Sequence, residues 1–177
     1  MSAPVLVAYT TRYRSTQEVA EAVAATLRER ALEVDVQPMR DVRTLEGYRA
    51  IVLGAPLYMG RWHNDADRFL SRHHEALMER PVAVFALGPF STDEQEWQSA
   101  RAMLDTALDK FPWLTPVALE LFGGKFDPAK LRFSDRFIAS LPASPIHQMP
   151  ANDVRDWTAI RAWASNLAAK LQPAVPH

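Results

Sequence analysis

Residues 5–18 read VLVAYTTRYRSTQE, and the change of character midway through this stretch points to the fold. Val5, Leu6, Val7 and Ala8 form a short apolar run with no space for a helix before the polar turn. That suits a strand buried on both faces of a parallel sheet. A hydroxyl-rich turn follows, Thr10, Thr11, Ser15 and Thr16, with Arg12 and Arg14 between them. Ser15 and Glu18 stand at capping-box spacing, which predicts a helix starting there. A strand end, a loop of hydroxyls and backbone N–H groups, and a helix N-terminus are thereby aimed at one point. Such a point attracts phosphate through oriented donors and the positive end of the helix dipole. Ser15 alone reads as a plain cap. Thr10 and Thr11 precede the cap, so capping does not explain them and phosphate binding does.

Further along, Val19, Ala20, Val23, Ala24, Leu27 and Ala31 make an apolar stripe of helical period. Leu32 to Val36 (LEVDV) alternates and reads as a strand near a sheet edge. Arg40 to Gly47 reads as a loop with one helical turn. Ala50 to Leu53 (AIVL) is a second doubly buried strand, closed by GAPLYMGRWHN. From about Asp65, the spacing of Ala66, Phe69, Leu70, His73 and Leu77 predicts an amphipathic helix ending before Pro81. Pro81 to Leu87 (PVAVFAL) is the third buried strand. Ser91 with Glu94 and Thr92 with Gln95 both fit a capping box for the next helix, which turns Trp97, Ala100, Met103, Leu104, Ala107 and Leu108 inward. Pro116 to Phe122 (PVALELF) is a strand ending at Gly123-Gly124, and Asp156 can cap a last helix carrying Trp157, Ile160, Trp163, Leu167 and Leu171. The tail 173–177 is expected to fray, leaving a domain over 1–172.

This alternation implies an α/β, doubly wound parallel sheet in a single domain. Ligands of such sheets bind beyond the carboxyl ends of the strands, at the topological switch point. Three loops leave those ends: Tyr9 to Thr16, Pro56 to His63, and Gly88 to Trp97.

Composition narrows the function. The 177 residues suffice for a full core, and a net charge of −1 argues against an extended nucleic-acid surface. There is no cysteine, so thiolate nucleophiles, disulfides and cysteine-held clusters are excluded. The five histidines show no metal-ligand spacing. His73 and His74 are adjacent, about 100° apart on a helix, and cannot share one ion. The first residues lead straight into a strand, and no run approaches the ~20 apolar residues of a membrane helix, so a cytoplasmic protein is expected. No order of Ser, His and Asp supports hydrolysis.

Four stretches together resemble flavodoxin-fold FMN proteins, and more narrowly the flavodoxin-domain family that includes menaquinone-dependent protoporphyrinogen IX dehydrogenases. They are YTTRYRSTQEVA (9–20), GAPLYMGRW (54–62), FGGKFDPAKLRFSDRFI (122–138) and DVRDWTAIRAWA (153–164). The resemblance implies a flavodoxin-like five-stranded sheet of order 2-1-3-4-5. It also implies an FMN phosphate held by Thr10, Thr11, Arg12, Tyr13, Arg14, Ser15 and Thr16. Pro56, Leu57, Tyr58, Met59, Gly60, Arg61 and Trp62 would form the inner flavin loop. Leu87, Gly88, Pro89, Phe90 and Ser91 would form the outer one. Aromatic rings on these loops (Tyr58, Trp62, Phe90) could stack on a flavin or simply pack; Trp97 reads as packing. Gly60 would let a peptide approach the flavin edge.

The implied activity is transfer of electrons between an apolar reduced substrate, protoporphyrinogen being one instance, and a quinone-type acceptor. An electron carrier without a substrate pocket is the alternative, although carriers usually present a markedly acidic face. One position departs from the family: Arg14 stands where glycine is usual. It could offer a guanidinium to the phosphate, or close the turn and leave a flavin-free binding module. The flavin would carry the chemistry, so no side chain is singled out as catalytic. His63, next to the inner loop, is either a proton donor near the substrate or a surface histidine at a helix entry. Lys125, Lys130, Arg132 and Arg136 alternate with Phe126, Leu131, Phe133, Phe137 and Ile138. The 125–138 stretch is either a solvated edge helix or a lip for peripheral contact with a membrane's inner face, at ~1 kcal/mol per cation.

Overall fold

Three apolar runs become the centre of one sheet. The computed structural model describes residues 3–58, 61–126 and 152–172. Strands β1 (Val5–Tyr9), β3 (Ala50–Tyr58) and β5 (Val82–Leu87) lie side by side, with β2 (Val34–Pro38) outside β1 and β6 (Ala118–Phe122) outside β5. All four of these pairings are parallel. The parallel strands therefore run in the order 2-1-3-4-5 when counted among themselves, as the resemblance implied. The alternating LEVDV run is indeed an edge strand, beginning at Val34.

Side-chain alternation divides the core into two layers. Leu6, Ala8, Ile51, Leu53, Val84 and Ala86 point to one face, beneath helices α2 (Asn64–Arg72), α3 (His74–Met78) and α4 (Glu94–Asp109). Val5, Val7, Val52, Ala83 and Phe85 point to the other, against α1 (Ser15–Glu29) and α5 (Trp157–Leu171). Burying each large aliphatic side chain in these layers contributes about 1.5–3 kcal/mol. Helix α1 lays Val19, Ala20, Val23, Ala24 and Leu27 on the sheet, the stripe read from its period. Asp156 caps α5 through the Ala159 N–H at 3.0 Å, as its position predicts.

Several local expectations are corrected. GAPLYMGRWHN is not all loop: β3 continues through Tyr58 and pairs back on β4 (Arg61–Trp62), an antiparallel hairpin. The helix expected from Asp65 to before Pro81 breaks at His73, whose φ of −105° and ψ of 21° leave the helical region. The cap of α4 is Asp93, whose carboxylate accepts from the Gln95 N–H at 3.0 Å, and neither Ser91 nor Thr92 takes that place. The cap position of α1 is Arg14, with Ser15 its first helical residue, and no side chain caps it. The 39–41 segment supplies the single turn expected after β2.

Strands β7 (Lys125–Phe126) and β8 (Asn152–Asp153) form a short antiparallel ladder beside the main sheet. Met59, Gly60, the 127–138 part of the basic and apolar stretch, and the 173–177 tail lie outside the described residues. Among the described residues no helix is long and apolar enough to cross a membrane.

Candidate functional site at the strand ends

The chain leaves β1 for one edge of the sheet and later enters β3 on β1's other side. The crevice at the carboxyl ends of β1 and β3 is therefore the switch point. The first turn is anchored there. The Thr10 N–H donates to the Gly54 carbonyl at 3.0 Å, tying the end of β1 to the middle of β3. Thr10 Oγ1 lies 3.3 Å from His63 Nδ1, and the same nitrogen accepts from the Asp65 N–H at 3.1 Å. An accepting Nδ1 puts the neutral ring's proton on Nε2. His63 is thus the cap of α2, the helix-entry role read for it.

Beyond Thr10 the turn holds two hydroxyls without partners. Thr11 Oγ1 and Thr16 Oγ1 are both buried and unbonded, and Thr16 is wholly inaccessible. A buried hydroxyl left without a hydrogen bond costs about 1–3 kcal/mol, so two in one turn require an explanation. A tetrahedral oxyanion at the turn would supply the missing acceptor for Thr11. A cavity of about 220 Å³ opens at this place, lined by Thr10, Thr11, Arg12, Arg14 and Gln17 from the turn and by Arg40 from the 39–41 segment. Asp65 closes its far side. Three guanidinium groups on the wall make it a basic pocket.

Arg14 takes φ 66° and ψ −6°. Arginine thus takes the left-handed backbone conformation that glycine would supply at this position. The long side chain is exposed and contributes to the pocket wall. Tyr13 and Ser15 are half-buried on the same turn.

The described residues of the other two loops are tied to the sheet and the core. In the inner one, Leu57 is buried within β3 and Pro56 is half-buried. Trp62 is 2% exposed and donates its indole N–H to the Ala55 carbonyl at 3.2 Å. It belongs to the core under α4, so of the two readings left open for it, stacking on a flavin or packing, the structure shows packing. Arg61 is exposed.

In the outer loop, Leu87 is buried. The Gly88 N–H reaches the Phe122 carbonyl at 3.1 Å, and the Pro89 carbonyl accepts from the Gly124 N–H at 2.7 Å. Glu96 then gathers the tip: one carboxylate oxygen accepts from the Phe90 N–H at 2.8 Å and the other from the Ser91 hydroxyl. The Trp97 indole N–H adds a bond to the Ser91 carbonyl at 2.9 Å, so Trp97 is a packing residue as read. Phe90 is half-buried with its ring against Gly124.

Sequence reading missed Arg40, Glu96 and Arg155. Arg40 lies beyond β2 and reaches the turn only through the sheet's strand order. Glu96 lies on α4, and nothing local shows that it reaches back to the Phe90–Ser91 loop. Arg155 is 140 positions from Ser15, whose carbonyl it bonds at 3.3 Å.

With the geometry in view, the comparisons with known proteins agree with it. The chain is 24% identical over 139 residues to the Escherichia coli (strain K12) protoporphyrinogen IX dehydrogenase [quinone], covering 77% of this chain and 76% of that protein. Its structure resembles a short-chain flavodoxin associated with a bacterial microcompartment, with a TM-score of 0.60 at 15% identity over 97% of this chain and 100% of that one. It also resembles a Fusobacterium nucleatum flavodoxin bound to flavin mononucleotide, with a TM-score of 0.52 at 11% identity over 95% and 96% of the two chains. These structural likenesses establish the flavodoxin fold. The flavodoxin domain family model matches residues 6–147, and the chain belongs to that family.

Proposed function

We propose that the chain binds FMN and acts as an oxidoreductase passing electrons from an apolar reduced substrate to a quinone-type acceptor. The observation that carries this reading is the buried, unpartnered hydroxyl of Thr11 on a cavity lined also by Arg12, Arg14 and Arg40, with the unpartnered hydroxyl of Thr16 buried in the same turn. The phosphate would be held by those hydroxyls and guanidiniums and by the first-turn N–H groups of α1, which carries no side-chain cap. Tyr58 to Arg61 and Leu87 to Ser91 would flank the ring on either side, with Trp62 packed beneath the inner loop. When bound, the flavin supplies the redox chemistry, and the protein's part is to bind, orient and tune it. Glu96, by fixing the Phe90 and Ser91 loop, would hold the outer wall in register. His63, with its ring proton on Nε2, stays a structural cap in this scheme.

Protoporphyrinogen is the substrate suggested by the relative of that name, and a quinone the acceptor. The competing reading is an electron carrier, favoured by the flavodoxins that align over nearly the whole of both chains. The chain's near-neutral charge of −1 speaks for the enzyme, because carriers usually dock through an acidic face. A visible spectrum before and after adding FMN and desalting tests the first step. Retained flavin bands are expected, and a colourless protein in both samples would remove the reading. Turnover of a quinone with a reduced substrate then separates enzyme from carrier, which exchanges electrons only with a protein partner.

A further inference from the structure

Asp153, Val154 and Arg155, just ahead of α5, touch both the outer loop and the head of α1. On the loop side, the Val154 N–H donates to the Gly124 carbonyl at 3.1 Å, and the Gly124 N–H donates to the Pro89 carbonyl at 2.7 Å. These approaches leave no space for side chains. A Cβ on Gly123 would run into the Val154 carbonyl oxygen, and one on Gly124 would lie 3.1 Å from the Phe90 ring and 3.2 Å from the Gly88 carbonyl oxygen. On the helix side, the Arg155 guanidinium donates to the Ser15 carbonyl at 3.3 Å and pairs with Glu18 Oε2 at 3.5 Å. Two bonds to Asp153, from Nε at 2.9 Å and from a terminal nitrogen at 2.8 Å, fix the plane of the group. The indole of Trp157 covers one face at 4.7 Å, and the arginine side chain is only 3% exposed. A fork held this way has one orientation.

Three hydrogen bonds thus lead from Pro89 through Gly124, Val154 and Arg155 to Ser15. Each end also has bonds of its own: the Glu18 N–H meets the Arg14 carbonyl at 3.0 Å, and Glu96 gathers the tip of the outer loop. What the link adds is the spacing between the two ends, beyond the reach of the strands. We propose that Arg155 is a positioning residue of the flavin site, locking the turn after β1 and the outer loop at one spacing so that a single ligand engages both. The inference rests on the FMN reading above. A ligand held at two ends gains because the second contact forms at high effective concentration, and that gain is lost when the spacing wanders. Inorganic phosphate or riboflavin alone engages one end and makes no use of the spacing.

The test titrates the natural chain and Arg155→Gln with three probes: inorganic phosphate, followed by backbone amide shifts, and riboflavin and FMN, followed by flavin fluorescence. Arg155→Gln is expected to weaken FMN about tenfold while inorganic phosphate and riboflavin each stay within about twofold. A loss of phosphate affinity as large as that of FMN would make Arg155 a support of the turn alone. A loss of riboflavin as large would make it a support of the ring end or of the fold. Either result, or unchanged FMN affinity, would overturn the proposal.

Should Arg155→Gln fail to fold, Asp153→Asn loosens the same guanidinium from its other side. It should weaken FMN by about threefold with the other two probes unchanged, and a loss shared equally by phosphate or riboflavin would overturn the proposal. The two levels of inference fail differently. A natural chain that binds none of the three probes defeats the FMN reading and this proposal with it. A natural chain that binds them, with the variant's loss falling in the wrong place, defeats the proposal alone.

Discussion

Gly54 and Phe85 face each other across β3 and β5 with no room for a side chain between them. A Cβ on Gly54 would come within 2.7 Å of Phe85 Cε1 and closer still to Cζ. Phe85 is fully buried against Phe122 and Trp163, so the ring has nowhere to go. The carbonyl of Gly54 also receives the Thr10 N–H, which makes this close approach part of the foundation of the turn after β1. Gly54→Ala is therefore expected to cost about 2 kcal/mol or more by overpacking, read as a lower urea midpoint. It should also weaken FMN, because β3 cannot shift without moving Thr10.

Among the described residues two non-glycine residues carry positive φ, and their substitutions should part company. Ala31, at φ 67°, ends α1 in a Schellman turn, with the Leu32 N–H on the Leu27 carbonyl at 3.2 Å and the Ala31 N–H on the Arg28 carbonyl at 3.0 Å. Ala31→Gly should stabilise the protein by about 0.5–1 kcal/mol and leave flavin affinity unchanged. Arg14→Gly should relieve the same strain at φ 66° but remove a guanidinium from the phosphate pocket. A higher melting temperature with FMN weakened several-fold is the expected pair of results. Tighter FMN binding would show instead that the arginine side chain obstructs the pocket.

Thr16→Val should act with opposite signs on folding and binding. Its hydroxyl is inaccessible and unpartnered in the ligand-free protein, so the isosteric methyl should stabilise that state by about 1 kcal/mol. Under the FMN reading the same change removes a hydroxyl from the phosphate turn and should weaken FMN while leaving riboflavin alone. Paired thermal melts, with and without FMN, measure both effects in one series. A destabilised ligand-free variant would mean that the hydroxyl already has a partner.

The parallel strands were legible because their information is local. A run such as Val5 to Ala8 or Pro81 to Leu87 can hardly be anything but a doubly buried strand, and the turn after β1 announces itself by its hydroxyls. What could not be read depends on register or on distance along the chain. Trp62 looked like a loop aromatic because nothing local shows that β3 continues through Tyr58 and folds back on Arg61. Glu18 looked like half of a capping box because nothing local shows that Arg14, in the left-handed conformation, takes the cap position and makes Ser15 the first helical residue. Asp93 was overlooked beside two better-spaced candidates, and the packing of the Phe90–Ser91 loop decided which residue heads α4.

Glu96 gives the outer loop a single point of failure. Its two oxygens hold the Phe90 N–H and the Ser91 hydroxyl, and no other carboxylate is bonded to that tip among the described residues. Glu96→Ala should therefore speed amide exchange at Phe90 by about tenfold or more, corresponding to the loss of a charge-assisted bond of about 1.5–3 kcal/mol. Global stability should change less than this, because Trp97 still reaches the Ser91 carbonyl. Unchanged exchange at Phe90 would show that the Gly88 and Pro89 backbone bonds suffice to fix the loop.

His73 should make the fold sensitive to mild acid. The ring is 7% exposed at the break between α2 and α3, 4.6 Å from Phe69, and its Nε2 has no partner. Burial, aided by the charge of Arg72, holds its pKa below the ordinary 6.5, while a backbone contact with Val42 opposes the shift. Around it stand Arg43, Arg72 and Arg80 with Glu46, Glu75, Glu79 and His74 along a groove of about 600 Å³. The sign follows from linkage. Above 6.5 the ring is neutral in both folded and unfolded chains and contributes no pH dependence. As the pH falls below 6.5 the unfolded chain takes up a proton that the folded one refuses, so stability is lost until the depressed folded value is reached. The slope cannot exceed about 1.4 kcal/mol per pH unit for one group. His73→Gln should flatten this part of the profile, so that urea midpoints of the two proteins converge or cross between pH 7.5 and about 5.5. Parallel curves over that range would mean that the imidazole accepts its proton in the folded state, which the packing against Phe69 argues against.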